Sequence, residues 1–285
     1  NLFHAPTRDE YGMFHAVSAG LRSTSLARQV GAAICTPEGE LVALGCNDVP
    51  KAGGGLYWEG DAGDSRDHLR GYDFNDQMKL LFLRDILARL RVGGWLQPPY
   101  DTLDEEALLE RALAPGSNLR QAEIMKVIEY GRSVHAEMAA LMDAAKRGIS
   151  VAGCTLYTTT FPCHNCARHI LASGLRRVVY IEPYPKSLTR KLYADSIWVE
   201  GEENTPASEK HAVRFEPFVG ISFRQYSALF STGGVERKLN GVTMPWVPER
   251  AMPRLYDHHA ACVARERVAL AQLEAALKQS DGETS

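Results

Sequence analysis

Apolar residues recur at helical spacing near the start of the chain, from Met13 to Leu21. Residues three and four positions apart share one face of a helix, so the pattern predicts an amphipathic helix over residues 8–26. Two β-rich runs follow, at 30–36 and 41–46, and a Pro-Glu-Gly turn joins them. This combination predicts a β-hairpin.

The pattern changes between about residues 51 and 131. Residues 51–73 are rich in glycine and charge, whereas residues 74–92 have a strong helical period. We interpret the whole segment as an insertion, a mobile loop followed by helices, rather than as a separate domain.

Regular alternation returns after the insertion. Helical periodicity over residues 135–147 precedes a strand-like run at 155–159, a second helix at 163–173 and a β-branched run at 177–181. Helix, strand, helix and strand in this order predict an α/β protein built around a layered sheet.

Composition narrows the class of protein. Of the 285 residues, 45% are hydrophobic and 24% are charged, as in a soluble globular protein. The formal net charge is −3, so no overall positive field favours nucleic acid or an anionic membrane surface. The apolar segments at 80–90 and 134–145 are interrupted by charge well short of the roughly 18 residues that a membrane span requires.

Cysteine usage indicates a reducing compartment. Six cysteines are too few for a disulfide scaffold, and Cys163 and Cys166 have a Cys-x-x-Cys spacing that favours metal or redox chemistry. We therefore expect a cytoplasmic protein, and the first residues contain no secretory signal. Because the chain starts at Asn1 without an initiator methionine, we expect it to be processed or part of a longer protein.

A histidine and two cysteines lie at the starts of two of the predicted helices. His135 opens the first of them, and Cys163 and Cys166 open the second, with one strand between. Adjacent helices on one face of a sheet bring their N-termini together, and the positive end of a helix favours the thiolate form that binds metals. One histidine and two cysteines leave the fourth tetrahedral position of Zn²⁺ open, which is typical of a catalytic site.

Glu137 follows the histidine by two residues. A carboxylate beside an activated water molecule can take up a proton and deliver it to a substrate, so Glu137 is the candidate catalytic residue.

Two alternatives use some of the same residues. The Cys-x-x-Cys pair could be a redox dithiol, but His135 and Glu137 would then have no role. His68 lies among acidic residues of the insertion, where either a second metal or an ordinary solvated loop is compatible with the sequence.

Taken together, these residues match H-x-E…P-C-x-x-C, a signature of the zinc nucleobase deaminases. The chain resembles the cytidine/deoxycytidylate deaminase superfamily in the order of four segments, RSTSLARQVGAAI, GCNDVPKAGGG, HAEM and TTTFPCHNCARHILASGLRRVVYIEPYPKS. It is similar, more narrowly, to the deaminase portion of bacterial anti-phage dCTP deaminases in NDVPKAGGGLYWEGD, YIEPYPKSLTRKLYADSI and VRFEPFVGISFRQYSALF.

The resemblance implies a fold and an activity. The fold is a three-layer α/β/α sandwich around a mixed sheet of about five strands, here with a helical insertion and a C-terminal extension. The activity is hydrolytic deamination of a cytosine deoxynucleotide, dCTP and/or dCMP, to the uracil form with release of ammonia. The relatives imply a role in anti-phage nucleotide depletion and assembly as a homo-oligomer.

It also implies roles for individual residues. The zinc ligands are His135, Cys163 and Cys166. Glu137 is the proton shuttle, Asn47 hydrogen-bonds the sugar, and backbone groups near Ala136 orient the reacting group. Arg22, Arg28 and Lys186 are candidates for phosphate binding, although each could equally be an ordinary solvated charge.

The sequence is compatible with two further interpretations of its function. A nucleic-acid deaminase would use the same zinc chemistry, but the slight negative charge and Phe161, in place of the acidic residue common in tRNA adenosine deaminases, favour a free nucleotide. A zinc-binding module that has lost catalysis would not require Glu137.

The family pattern suggests where the domains end. We predict a deaminase domain over residues 1–200, including the insertion at about 51–131, and a C-terminal extension over residues 201–285 packed on it. A strand at 213–215 and a helix at 257–278 are predicted within the extension. The relatives carry an N-terminal P-loop region, whereas this chain has no P-loop motif. The insertion could form a lid over a triphosphate, an oligomer contact or an effector site.

Overall fold

A computed structural model describes residues 3–201, 211–231, 237–243 and 259–282. The chain divides into two compact units, one of residues 6–223 and one of residues 1–5 with 224–285.

A six-stranded mixed sheet forms the centre of the larger unit. Its strands are β1 (Gly31–Cys35), β2 (Leu41–Cys46), β3 (Thr155–Thr160), β4 (Arg177–Glu182), β5 (Ile197–Val199) and β6 (Val213–Pro217). They lie in the order β2-β1-β3-β4-β6-β5. β1 is antiparallel to both neighbours, and the pairs from β3 to β5 are parallel. The predicted hairpin is therefore one end of the sheet.

The helices of this unit precede or connect the strands. They are α1 (Arg8–Gly20), α2 (Asp67–Arg70), α3 (Phe74–Val92), α4 (Glu105–Leu113), α5 (Ala136–Lys146), α6 (His164–Ala172) and α7 (Thr189–Leu192). Two 3₁₀ turns, Asn118–Gln121 and Glu123–Lys126, lie between α4 and α5. After the strands comes α8 (Phe223–Phe230), which belongs to the smaller unit except for its first residue.

Helices cover both faces of the sheet. In β1, Ala33 faces a cluster that includes Met13 of α1, whereas Ile34 faces a cluster that includes residues of α5 and α6. Every residue of β1 is buried for this reason, so the strand reads as a continuous apolar run rather than an alternating one. The predicted three-layer α/β/α class is confirmed.

The structure differs from the predictions at two points. The sheet has six strands instead of about five, and β5 is only three residues long, too short for a period to be recognised. α1 ends at Gly20 instead of continuing to residue 26, because the residues that follow bond outside the helix. The hydroxyl of Ser23 donates to the carbonyl oxygen of Asn47, and the N–H of Thr24 donates to the carboxylate of Asp48.

The insertion has a small apolar core of its own. α3 and α4 pack together through Leu83, Leu87, Leu108, Leu109 and Ala112. The predicted helix over residues 74–92 is confirmed, and the side chain of Asp73 caps it by accepting hydrogen bonds from two backbone N–H groups of its first turn.

The smaller unit contains a hairpin and a long helix. β7 (Lys238–Leu239) and β8 (Val242–Thr243) pair through a turn in which Asn240 and Gly241 have positive φ angles, as a two-residue hairpin requires. α9 (His259–Gly282) corresponds to the predicted C-terminal helix. The predicted division into residues 1–200 and a packed extension stays a prediction.

Within the described residues, every helix is too short or too polar to cross a lipid bilayer.

Candidate active site

The candidate metal ligands lie at the N-termini of two helices on the same face of the sheet. His135 immediately precedes α5, and Cys163 has the same place before α6. Neither side chain caps its own helix. Both are therefore available for a ligand, and the partial positive charge of a helix N-terminus favours a thiolate there.

Close packing against β2 positions the start of α5. A Cβ atom on Gly45 would collide with the backbone of α5, including the carbonyl oxygen of Ala136. Just before the helix, Val134 and Asp48 exchange two backbone hydrogen bonds of 2.9 and 3.2 Å. Glycine at position 45 and this bridge together set the first turn of α5 against the strand.

The segment before α6 is held by hydrogen bonds and aromatic packing. The carbonyl oxygen of Pro162 accepts hydrogen bonds from the hydroxyl groups of Ser187 at 2.8 Å and Thr189 at 3.0 Å. Phe161 is buried and packs edge-to-face against Tyr180. These contacts fix the backbone that leads into Cys163.

The three candidate ligand atoms form a compact group. Nδ1 of His135 lies 3.2 Å from Sγ of Cys163 and 3.4 Å from Sγ of Cys166, and all three atoms lie within 4.8 Å of one another. Tetrahedral zinc ligands, about 2.1 Å from the ion for nitrogen and about 2.3 Å for sulfur, are about 3.5 to 3.8 Å apart. The group therefore fits zinc with one coordination position left over.

Hydrogen bonds among the three candidate ligands shift their pKa values in opposite directions. A hydrogen bond from Cys166, reinforced by one from His135, outweighs burial and holds the pKa of the Cys163 thiol well below its usual value. The bond to Cys163 and burial raise the pKa of the Cys166 thiol. The bond to Cys163 also raises the pKa of His135 to about 9. A metal cation binding here would replace the protons that this group holds.

Glu137 lies beside the ligand atoms. Its side chain is buried, and its Oε2 accepts a hydrogen bond of 3.4 Å from Sγ of Cys166. Burial, and after it the negative charge of Cys163, raises the pKa of the Glu137 carboxyl. A carboxyl group with a raised pKa can both accept and release a proton, as a general acid and base must.

A cavity of about 340 Å³ contains most of the site residues that the sequence predicts. Those that line it are His135, Glu137, Cys163, Ala136, Asn47, Arg28 and Lys186. The side chain of Asn47 donates to the carbonyl oxygen of Arg28 at 2.8 Å and accepts from the N–H of Val30 at 2.7 Å. These bonds orient the amide and leave it one hydrogen and one lone pair for a ligand.

The three basic residues predicted to bind phosphate differ in position. Lys186 is exposed and lines the cavity. Arg28 lines it as well and forms a 3.0 Å ion pair with exposed Glu182. Arg22 is not brought to the cavity, since its guanidinium donates to two carbonyl oxygens of the insertion and lies 3.5 Å from the ring centre of Trp58. Arg22 therefore tethers the insertion to the segment after α1.

The insertion forms a wall of the same cavity. The lining residues that it supplies are Asp67, Asp73, Asn75, Asp76, Lys79, Ile128 and Gly131. Arg132, directly after the insertion, lines the cavity too. Sequence reasoning named none of these as site residues. The charges of the aspartates, Lys79 and Arg132 can be read from the sequence, but only tertiary contacts bring these residues to the cavity that His135 lines.

Acidic residues near His68 are already paired with basic side chains. The pairs are Asp61–Lys51, Asp64–Arg66 and Asp67–Arg132. Within the described parts of the chain, the histidine and two cysteines form the one group with metal-ligand geometry. The loop is therefore held by ion pairs, and a second metal has no geometric support.

These features define an α/β protein with a zinc-type site at two helix N-termini. The family model for the cytidine and deoxycytidylate deaminase zinc-binding region matches residues 6–182. That match covers more than half of the chain, so the chain belongs to the cytidine and deoxycytidylate deaminase family. Zinc is the cofactor of the site.

Individual relatives are similar over shorter stretches. Deoxycytidylate deaminase of Enterobacteria phage T4 is 44% identical over 54 residues, which are 19% of this chain and 28% of that protein. ComE operon protein 2 of Bacillus subtilis (strain 168) is 29% identical over 115 residues, 39% of this chain and 58% of that protein. The chain thus spans less than two thirds of either relative.

Similar solved structures include the dCMP deaminase from the cyanophage S-TIM5 in complex with dCMP and dUMP. Its sequence identity is 16% and its TM-score is 0.37, and the match covers 75% of this chain and all of that one.

Proposed function

We propose that this chain catalyses the zinc-dependent hydrolytic deamination of a cytosine deoxynucleotide, dCTP and/or dCMP, to the uracil deoxynucleotide and ammonia. The observation that carries the proposal is the buried carboxyl of Glu137 next to the His-Cys-Cys group. Glu137, His135 and Cys163 all line the same cavity. The family membership and the deoxycytidylate deaminases among its relatives support the same reaction.

The ligands in this proposal are Nδ1 of His135 and Sγ of Cys163 and Cys166. Their spacing fits zinc, and neighbouring groups already favour the thiolate at Cys163. Bound zinc supplies Lewis-acid activation of a water molecule at neutral pH.

Glu137 is the residue that moves protons. Its carboxylate takes one proton from the attacking water and delivers it to N3 of the cytosine ring as the C4–O bond forms. It then passes the second proton from the new hydroxyl to the exocyclic amine, and the C4–N bond breaks to release ammonia. The balance is one water consumed and one ammonia released, with Glu137 returned to its starting state.

Backbone and amide groups orient the substrate. The N–H of Ala136 belongs to the first turn of α5, where N–H groups have no partner within the helix, so it can donate to the reacting part of the base. In this proposal Asn47, whose amide is oriented by two backbone hydrogen bonds, contacts the sugar. Arg28 and Lys186 bring positive charge to the cavity for phosphate.

The test is product analysis by mass spectrometry. The zinc-loaded protein is given dCTP, dCMP, CMP, cytidine and a cytosine-containing single-stranded DNA in parallel. Chelator-treated protein with restored zinc tests the metal dependence, and the Glu137→Gln variant controls for contaminating deaminases. We expect conversion of dCTP or dCMP, with the oligonucleotide unchanged.

Other outcomes would change the proposal. Conversion of the oligonucleotide alone would make the chain a nucleic-acid deaminase and would leave the zinc mechanism standing. Stoichiometric zinc without turnover of any substrate would instead identify a binding module that has lost catalysis.

We further propose that the reaction depletes cytosine deoxynucleotides during phage infection, on the basis of the segments that resemble bacterial anti-phage dCTP deaminases. Deoxynucleotide pools measured in infected cells with and without the protein test this role. Unchanged dCTP and dCMP pools would contradict it. A homo-oligomer in the cytoplasm stays the expected state.

A further inference from the structure

Arg132 lies where the insertion returns to the zinc-binding core, and it lines the cavity. It precedes His135 by three residues, so the two Cα atoms are at most about 11 Å apart. Arg132 lines the same cavity as His135 and Glu137, and its long side chain adds to its reach. Arg132 can therefore reach the phosphate of a nucleotide whose base lies at Glu137.

One edge of the Arg132 guanidinium is held by the insertion. Nη1 donates to Oδ1 of Asp67 at 2.7 Å and to the carbonyl oxygen of Ser65 at 3.0 Å. The side chain of Arg132 is 24% exposed and that of Asp67 only 12%. A partly buried ion pair with a second hydrogen bond fixes the orientation of the planar group.

The other edge is available for a ligand. Within the described residues, Nη2 and Nε of Arg132 have no hydrogen-bond partner, and neither atom is fully buried. Two adjacent N–H donors in a fixed plane match two oxygens of a phosphate group.

Other basic residues of the cavity lack this combination. Lys79 is paired with Asp76 at 2.9 Å, and Arg28 is exposed beside Glu182. Lys186 is exposed and carries a point charge without a fork of donors.

We propose that Arg132, oriented by Asp67, binds a phosphate group of the substrate, so that the insertion sets how tightly the nucleotide is held. This inference rests on the proposed deamination of a cytosine deoxynucleotide. Asp67 is then a positioning residue that acts through Arg132 and has no contact of its own with phosphate.

The experiment compares Arg132→Ala, Arg132→Lys and Asp67→Asn with wild type on dCMP and dCTP. Arg120→Ala, an exposed arginine of the insertion outside the cavity, is the matched control. For Arg132→Ala we expect KM to rise roughly 10- to 100-fold and kcat to change less than about threefold. This pattern is expected when charge-assisted hydrogen bonds to a non-reacting group of the substrate are lost. Arg132→Lys and Asp67→Asn should raise KM by smaller factors, and Arg120→Ala should not.

Binding is measured separately from turnover. In the Glu137→Gln background, calorimetry gives the Kd of unreacted dCMP and dCTP, and the Arg132 variants should weaken it by the same factors. Zinc content and melting temperature identify variants that fail to fold.

The outcomes separate the two proposals. If wild type converts neither nucleotide, the proposed function fails. If wild type converts one of them and Arg132→Lys leaves its KM and Kd unchanged, the inference about Arg132 is wrong while the function stands. A fall in kcat with KM unchanged would also contradict phosphate binding.

Discussion

The zinc-binding core and the loop part of the insertion, residues 51–73, line one cavity but are held in place by different interactions. In the core, β1 is buried along its length, and α5 rests on β2 so closely that only glycine fits at position 45. In the insertion, the side chain of Arg66 is 4% exposed and bonds the carboxylate of Asp64 through both Nε and Nη2.

This difference separates the part of the cavity that holds the metal-ligand atoms from the part that can move. Backbone packing is short-ranged and leaves little freedom, so it suits atoms that must keep metal-ligand distances. Ion pairs on a loop can break and re-form with little effect on the sheet, so they allow this wall of the cavity to change conformation while the ligand atoms keep their places.

The largest expected effect is on catalysis in the core. Glu137→Gln should lower turnover by about 10²- to 10⁴-fold, the usual contribution of a general acid and base. Zinc content and melting temperature should stay close to wild type, because glutamine has nearly the same shape. Glu123→Gln, an exposed change in the insertion, is the control and should retain activity. Turnover of Glu137→Gln near the wild-type rate would remove Glu137 from the mechanism.

A second prediction tests the backbone packing of the core. Gly45→Ala should lower the free energy of unfolding by about 3 kcal/mol and reduce zinc occupancy, because the new methyl group meets the backbone of α5 rather than a side chain that can move. Gly93→Ala in the insertion is the counterpart. Its Cβ would lie 3.1 Å from the exposed ring of Trp95, which can turn away, and 3.3 Å from the carbonyl oxygen of Arg89, a far milder backbone contact than the 2.2 Å approach at position 45.

Chemical denaturation and zinc analysis of both variants measure this difference. Equal losses of stability at positions 45 and 93 would contradict the contrast between the two regions.

A third prediction tests whether the loop of the insertion can unfold locally while the core stays folded. Arg66→Ala leaves Asp64 and Glu59 without their partner and should destabilise the loop by about 2 kcal/mol. Hydrogen exchange should become faster in residues 58–72, whereas exchange in α5 and zinc content should not change. Faster exchange throughout α5 would mean that the insertion and the core unfold as one unit.

The smallest expected effect concerns an ion pair of the core on the face opposite the cavity. Asp9 accepts hydrogen bonds from Arg177 at 2.6 and 2.8 Å and from the hydroxyl of Tyr157 at 2.8 Å. Burial alone would raise the pKa of Asp9, but the bonds from Arg177 and Tyr157 outweigh it and lower that pKa below its ordinary value.

Because the folded-state pKa of Asp9 is the lower one, its contribution to stability is complete above the unfolded-state value and is lost as pH falls through the folded-state value. The loss therefore occurs below about pH 4. Asp9→Asn should cost about 1 kcal/mol at pH 7 and less at pH 3. Denaturation at both pH values measures this, with Asp85→Asn, an exposed carboxylate of the insertion, as the control. A cost for Asp9→Asn that is the same at both pH values would contradict the assignment.

Local pattern was sufficient to predict much of the secondary structure in both the core and the insertion. The helix over residues 74–92, the hairpin strand at 41–46 and the alternation after residue 135 follow from periodicity, because each segment is long enough to show its period. β5, at Ile197–Val199, is too short for that, and its place at the sheet edge depends on pairing with β6. Arg22 shows the same limit, since its charge was visible but its partners in the insertion were not.

The sequence by itself determined the layered α/β class, the zinc cofactor and the candidate group His135, Glu137, Cys163 and Cys166, because these depend on residue type and short spacing. The tertiary structure alone decided that the insertion forms a wall of the cavity and that Asp67 orients Arg132 there. The physical reason is that such contacts join residues about 65 positions apart, and their energies depend on distance and burial that no local pattern specifies.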